Sequence, residues 1–113
     1  MIHKIWRLVK VPRMNKQEAI KILSDVPEDK VFWVNDGRVL RNLYDLSAAL
    51  AEMSKETFKY HVNKDKNDFK NWIEFVIGDK NLASGVAKTK SKKILLGKTG
   101  RRISQLKSLS RKK

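Results

Sequence analysis

His61, Asp65 and Asp68 fall within eight residues of one another in the stretch TFKYHVNKDKNDFKNWI (57–73), and side chains of these types can hold a cation or move a proton. A calcium loop needs a glycine at its sharp turn and a distal glutamate, and Asp65-Lys66-Asn67-Asp68 has neither; Lys64 and Lys66 also interrupt the carboxylates. Zinc needs more His or Cys than the neighbourhood supplies, since the chain has two histidines and no cysteine. Cys nucleophiles and disulfides are excluded outright, and no G-x-S-x-G turn is present. His3 sits among basic residues with no carboxylate beside it. The stretch GKTG (97–100) shares residues with a phosphate loop but lacks the first glycine of G-x-x-x-x-G-K-[ST] and the strand that should precede it. A weaker expectation is that the backbone amides of Gly97 and Gly100 approach a phosphate oxygen. No catalytic residue, metal or cofactor is therefore expected. The motif reads as a joint between helices: Phe58, His61, Phe69 and Trp72 form its packed side, and Asn63, Asn67 and Asp68 satisfy backbone groups at the helix ends.

The elements that must position these residues follow from caps and apolar spacing. Asn15 with Glu18 three residues on is a capping-box signature, and Ala19, Ile20, Ile22 and Leu23 predict a short helix ending at Val26-Pro27. VFWVNDGRVL (31–40) reads as two short strands around Asn35-Asp36-Gly37. Asn42 caps a helix with Leu43, Leu46, Ala49, Leu50 and Met53 on one face. Ser54 opens another, with Phe58, His61 and Val62 inward. Asn67 or Asp68 starts a third, with apolar Phe69, Trp72, Ile73, Val76 and Ile77; Gly78 stops it. Asp79 caps a last short helix through Leu82, Ala83 and Val86. The expected fold is mainly α (α+β), a small β-hairpin packed with a compact bundle of four to five short helices, plus a basic C-terminal extension. The expected divisions are a basic arm (1–14), one compact domain (15–87) and a basic, flexible tail (88–113), with Gly97 and Gly100 as breaks. Within the tail Ile103, Leu106 and Leu109 are expected to line a helix formed on binding.

In order, FWVNDGRVLRNLYDLSAAL, YHVNKDKNDFKNWI and FVIGDKNLA resemble the signature of a small domain family found mostly in archaea. The resemblance covers residues 31–87 and leaves the arm and tail outside. It implies the hairpin-plus-helices fold and a structural role for the motif. The family carries no assigned activity, so the resemblance supplies no catalytic residues.

Charge carries the functional reading. The 113 residues have a net charge of +14, and it is segregated. Residues 1–17 carry five Lys/Arg and no acid, residues 18–79 hold all twelve acids, and residues 81–113 carry eleven Lys/Arg and no acid. A charge excess serving solubility alone has no reason to divide in this way. The cations expected to meet phosphates are Lys4, Arg7, Lys10 and Arg13 in the arm. In the tail they are Lys88, Lys90, Lys92, Lys93, Lys98, Arg101, Arg102, Lys107, Arg111, Lys112 and Lys113. Lysine outnumbers arginine, which favours backbone over base contacts. Trp6 is either a stacking partner for a base or part of the packing. The expected function is non-catalytic, largely sequence-nonspecific binding of nucleic acid, either structured RNA such as the ribosome or DNA of a nucleoid. A second reading makes residues 31–87 a protein-interaction module whose tail, through Ile94-Leu95-Leu96 among lysines, anchors on an anionic membrane surface. No apolar run reaches the roughly 20 residues of a membrane span, and a cytoplasmic location is expected.

Overall fold

Among the described residues six α-helices begin at polar caps, and in each the cap side chain accepts a hydrogen bond from a first-turn amide that would otherwise lack a partner. In this computed structural model, which describes residues 14–112, α1 (Lys16–Leu23) opens with both halves of the Asn15–Glu18 capping box. Asn42 caps α2 (Leu43–Glu52), Ser54 caps α3 (Lys55–His61) and Asn67 caps α4 (Asp68–Trp72). Asp79 caps α5 (Lys80–Val86) and Ser91 caps α6 (Lys92–Ser110). A cap of this kind stabilises a helix by about 1 kcal/mol.

Strands β1 (Phe32–Trp33) and β2 (Val39–Leu40) pair antiparallel, Phe32 opposite Leu40 and Trp33 opposite Val39. Gly37 takes φ +99°, and its N–H reaches Val34 O at 2.9 Å while Val34 N–H reaches Arg38 O at 2.8 Å. This is a tight turn with a glycine bulge, a conformation that a β-carbon would strain. Beyond α4 the backbone widens over Ile73–Ile77 into a π-type turn. The N–H groups of Gly78 and Asp79 both reach Ile73 O, at 2.8 and 3.1 Å, and Gly78 ends the turn at φ +88°.

The core collects Leu43, Leu46, Ala49, Leu50 and Met53 from α2, Phe58 and Val62 around α3, Phe69, Trp72, Ile73 and Ile77 from α4 and its extension, and Leu82, Ala83 and Val86 from α5. In α1 Ala19 and Ile22 are buried, whereas Ile20 is exposed. The larger correction concerns the C-terminal segment. Instead of a flexible tail, residues 92–110 form the longest helix of the described fold, packed against α1, α2 and α5. Leu95, Thr99, Ile103 and Leu106 are buried, recurring every three to four residues along one face. Gly97 and Gly100 lie within this helix and do not break it. Each costs about 1 kcal/mol against alanine, less than the roughly 2 kcal/mol that burying even one of the leucines contributes. The boundary expected near residue 88 is therefore not a boundary of the packed core.

Candidate nucleic-acid interface

The histidine that opened the sequence reading is committed on both ring nitrogens. His61 Nε2 accepts the Asn35 N–H at 2.9 Å, so the ring proton resides on Nδ1, which donates to Asp68 Oδ2 at 3.0 Å. Phe32, Tyr60 and Phe69 surround the ring at 4.9 to 5.1 Å between centroids. Trp72 Nε1 donates to Lys30 O at 2.9 Å, so His61 and Trp72 together clip the hairpin and its approach to the α3–α4 joint. Phe58, His61, Phe69 and Trp72 are all buried, the packed side expected of the motif. Asn63 Nδ2 donates to Lys59 O, closing the end of α3. Asn67 Oδ1 accepts Lys70 N–H at the start of α4, while its Nδ2 reaches Val86 O at 3.2 Å and ties the joint to α5. Asp68 departs from expectation: its carboxylate meets His61 and Lys66 Nζ (2.9 Å) instead of helix-end amides. With Nε2 spent on a backbone amide, the pair positions the hairpin and has no free base to offer.

The fifteen cations expected to meet phosphate divide into groups. Lys4, Arg7, Lys10, Arg13 and Lys113, and Trp6 with them, lie outside the described residues. Arg102 is withdrawn from the set. Its Nε and Nη2 grip the Asp79 carboxylate at 2.7 and 2.9 Å, and Nη1 reaches Gln105 Oε1 at 2.7 Å. Asp79 is 1% exposed and caps α5 as well, so this is an internal fastening between α5 and α6. Lys92 is withdrawn too: its Nζ donates to Met53 O at 2.8 Å, capping the end of α2. Lys88, Lys90, Lys93, Arg101, Arg111 and Lys112 are exposed, and Lys98 and Lys107 are half-buried. GKTG supplies no phosphate loop, because its amides lie inside α6 and Thr99 is buried. Of Ile94-Leu95-Leu96, Leu95 is buried and Leu96 packs on the core, which leaves Ile94 alone facing solvent.

Two concavities gather the remaining charge. A groove of about 510 Å³ between α5 and α6 is walled by Lys98, Arg101 and Arg102 with Asn81, Gly85 and Gln105. A cleft of about 550 Å³ forms where the α3–α4 joint faces the α5–α6 link. Lys64, Lys66 and Lys70 line one side, Lys88 and Lys90 the other, with Asn63, Asn67 and Asn71 between them and Asp65 as the one acid of the lining. Lys66 is tied to Asp68 and Lys70 to Glu74 (2.6 Å). Lys64, Lys66 and Lys70 were absent from the expected set, because along the chain they sit among acids and read as neutral. Only the fold brings them opposite Lys88 and Lys90. Among the described residues no three His, Cys, Asp or Glu side chains converge as metal ligands, and no helix is long and apolar enough to cross a membrane.

No protein-family model matches the chain, and no curated protein or solved structure matches it either, so the resemblance of residues 31–87 to an archaeal domain family stands as an expectation.

Proposed function

We propose that the protein is a non-catalytic, largely sequence-nonspecific nucleic-acid-binding protein whose lysines and arginines neutralise backbone phosphates. The observation that carries this reading is the segregation of charge: residues 81–113 contain eleven Lys/Arg and no acid, and the arm repeats the pattern. The placement of those residues supports it. Among the described residues Arg102 is the one cation of α6 with a carboxylate partner and Lys92 is held by Met53 O, so Lys93, Lys98, Arg101 and Lys107 keep their charge available to a polyanion. Each lysine or arginine that meets a phosphate releases a condensed counterion, which gives affinity without base recognition. The alternative, a protein-interaction module with a membrane-surface tail, loses its apolar anchor now that Leu95 and Leu96 belong to the fold.

The test is to isolate the protein at low salt and treat it with ribonuclease or deoxyribonuclease in separate aliquots. Nucleic acid bound to the protein and removed by one nuclease supports the reading and identifies the polymer. A protein that carries none, and that retards neither RNA nor DNA in a gel at low salt, overturns it. Deleting residues 88–113 is not a clean test, because it would remove four buried side chains of the core along with the charge.

A further inference from the structure

Two exposed aromatic rings each lie beneath a lysine of the cleft lining, without lining the cleft themselves. Lys66, in the cleft lining, places Nζ 4.7 Å from the centroid of Tyr60. Lys70, also in the lining, places Nζ 5.9 Å from the centroid of Phe75. Tyr60 and Phe75 are 55% and 75% exposed, large values for aromatic side chains so close to a packed core. A single exposed aromatic residue needs no explanation. Two that are each joined through a lysine to one basic concavity form a pattern with a known physical use. A strand of unpaired nucleotides offers phosphates to a basic channel and base faces to aromatic rings.

We infer that this cleft binds single-stranded nucleic acid, its lysines tracking the backbone and Tyr60 and Phe75 stacking on bases. The inference rests on the nucleic-acid reading above and adds which form of the polymer is preferred and where it sits. Lys66 and Lys70, tied to Asp68 and Glu74, join the rings to the cleft and leave Lys64, Lys88 and Lys90 to meet phosphate. The local charge is modest. Asp68 and Glu74 offset Lys66 and Lys70, and Asp65 offsets one of Lys64, Lys88 and Lys90. Electrostatics alone therefore holds only a few phosphates here, and stacking supplies the preference. A double helix keeps its base faces inside the stack and presents phosphates alone, so Tyr60 and Phe75 gain nothing from it.

The experiment is fluorescence anisotropy with labelled oligo(rU), oligo(dT) and a duplex, each about twelve nucleotides long, at low salt. Expected is tighter binding of either single strand than of the duplex. Tyr60→Ala and Phe75→Ala should each weaken single-strand binding by about 5- to 150-fold, the effect of losing one stacked base, and leave duplex binding unchanged. Phe75 is the more exposed ring, so urea unfolding of its variant should match that of the parent; Tyr60 also packs edge-on against His61, so its variant is compared in buffer where unfolding curves show it fully folded. Tyr60→Ser and Phe75→Ser should reproduce the loss, while Tyr60→Trp and Phe75→Trp should retain binding. If the single strands bind no more tightly than the duplex, or the alanine variants bind single strands like the parent, the inference fails while the nucleic-acid reading stands. If none of the three probes binds, both fail together.

Discussion

Arg102→Ala should destabilise the fold by about 3–5 kcal/mol, because it strands a carboxylate in a place water does not reach. Asp79 is 1% exposed and takes three hydrogen bonds: one from Leu82 N–H and two from the Arg102 guanidinium, whose side chain is itself only 11% exposed. Removing the arginine deletes two of the three bonds and the counter-charge together, while the cap on α5 still demands the carboxylate. A domain of this size has a total stability of roughly 5–15 kcal/mol, so the loss is a large fraction of it. In urea, with a slope of about 1–2 kcal/mol per molar, the midpoint should fall by about 1.5–5 M, followed by tryptophan fluorescence. Pairing Arg102→Leu with Asp79→Asn, which removes the charge and keeps the capping oxygen, should cost at least about 1 kcal/mol less than the sum of the single changes. An Arg102→Ala variant that unfolds within about 1 kcal/mol of the parent would refute the buried fastening and return Arg102 to the set of phosphate contacts.

Three further substitutions probe the same architecture by urea or thermal unfolding. Thr99→Val should stabilise the protein by about 1 kcal/mol, since Thr99 Oγ1 is buried without a hydrogen-bond partner and valine keeps its shape; a destabilised variant would mean the hydroxyl is satisfied. His61→Ala should cost about 3 kcal/mol, from a lost buried ring and from leaving the Asn35 N–H without its acceptor and Asp68 with Lys66 alone; a variant that melts like the parent would contradict the structural role. Asn67→Ala should cost about 1–2 kcal/mol by removing the α4 cap together with the bond to Val86 O; an unchanged midpoint would show that the joint holds without it.

The sequence was most legible where local chemistry decides the outcome. Asn15, Asn42, Ser54, Asn67 and Asp79 cap helices because their side chains reach the amide three residues ahead, a relation visible in the chain. Gly37 and Gly78 likewise mark the positive φ values at which they stand. The C-terminal helix was legible only in part. Its seam runs Leu95, Thr99, Ile103, Leu106, and with a threonine at its centre and Gly97 and Gly100 beside it the helical period looks broken. The apolar content there is too low to hold a helix alone; α1, α2 and α5 supply the surface that makes it pay. The cleft was not legible at all. Lys64, Lys66 and Lys70 lie among Asp65, Asp68 and Glu74, and nothing local says that Lys88 and Lys90 will face them. A sequence count of charge also cannot distinguish Arg102, held by Asp79, from Arg101, left at the surface.

The salt dependence of single-strand binding tests the central claim most directly, measured between roughly 50 and 200 mM salt for the parent and for Lys64→Gln/Lys88→Gln/Lys90→Gln. Each phosphate contact on a single strand contributes about −0.7 to the slope of log K against log salt, so three lost contacts should make the slope shallower by about 2. Asp65→Asn in the same assay should tighten binding, because it removes the acid of the cleft lining. A parent whose affinity is insensitive to salt, or a triple variant with the parent's slope, would contradict the assignment of this basic cleft to phosphate.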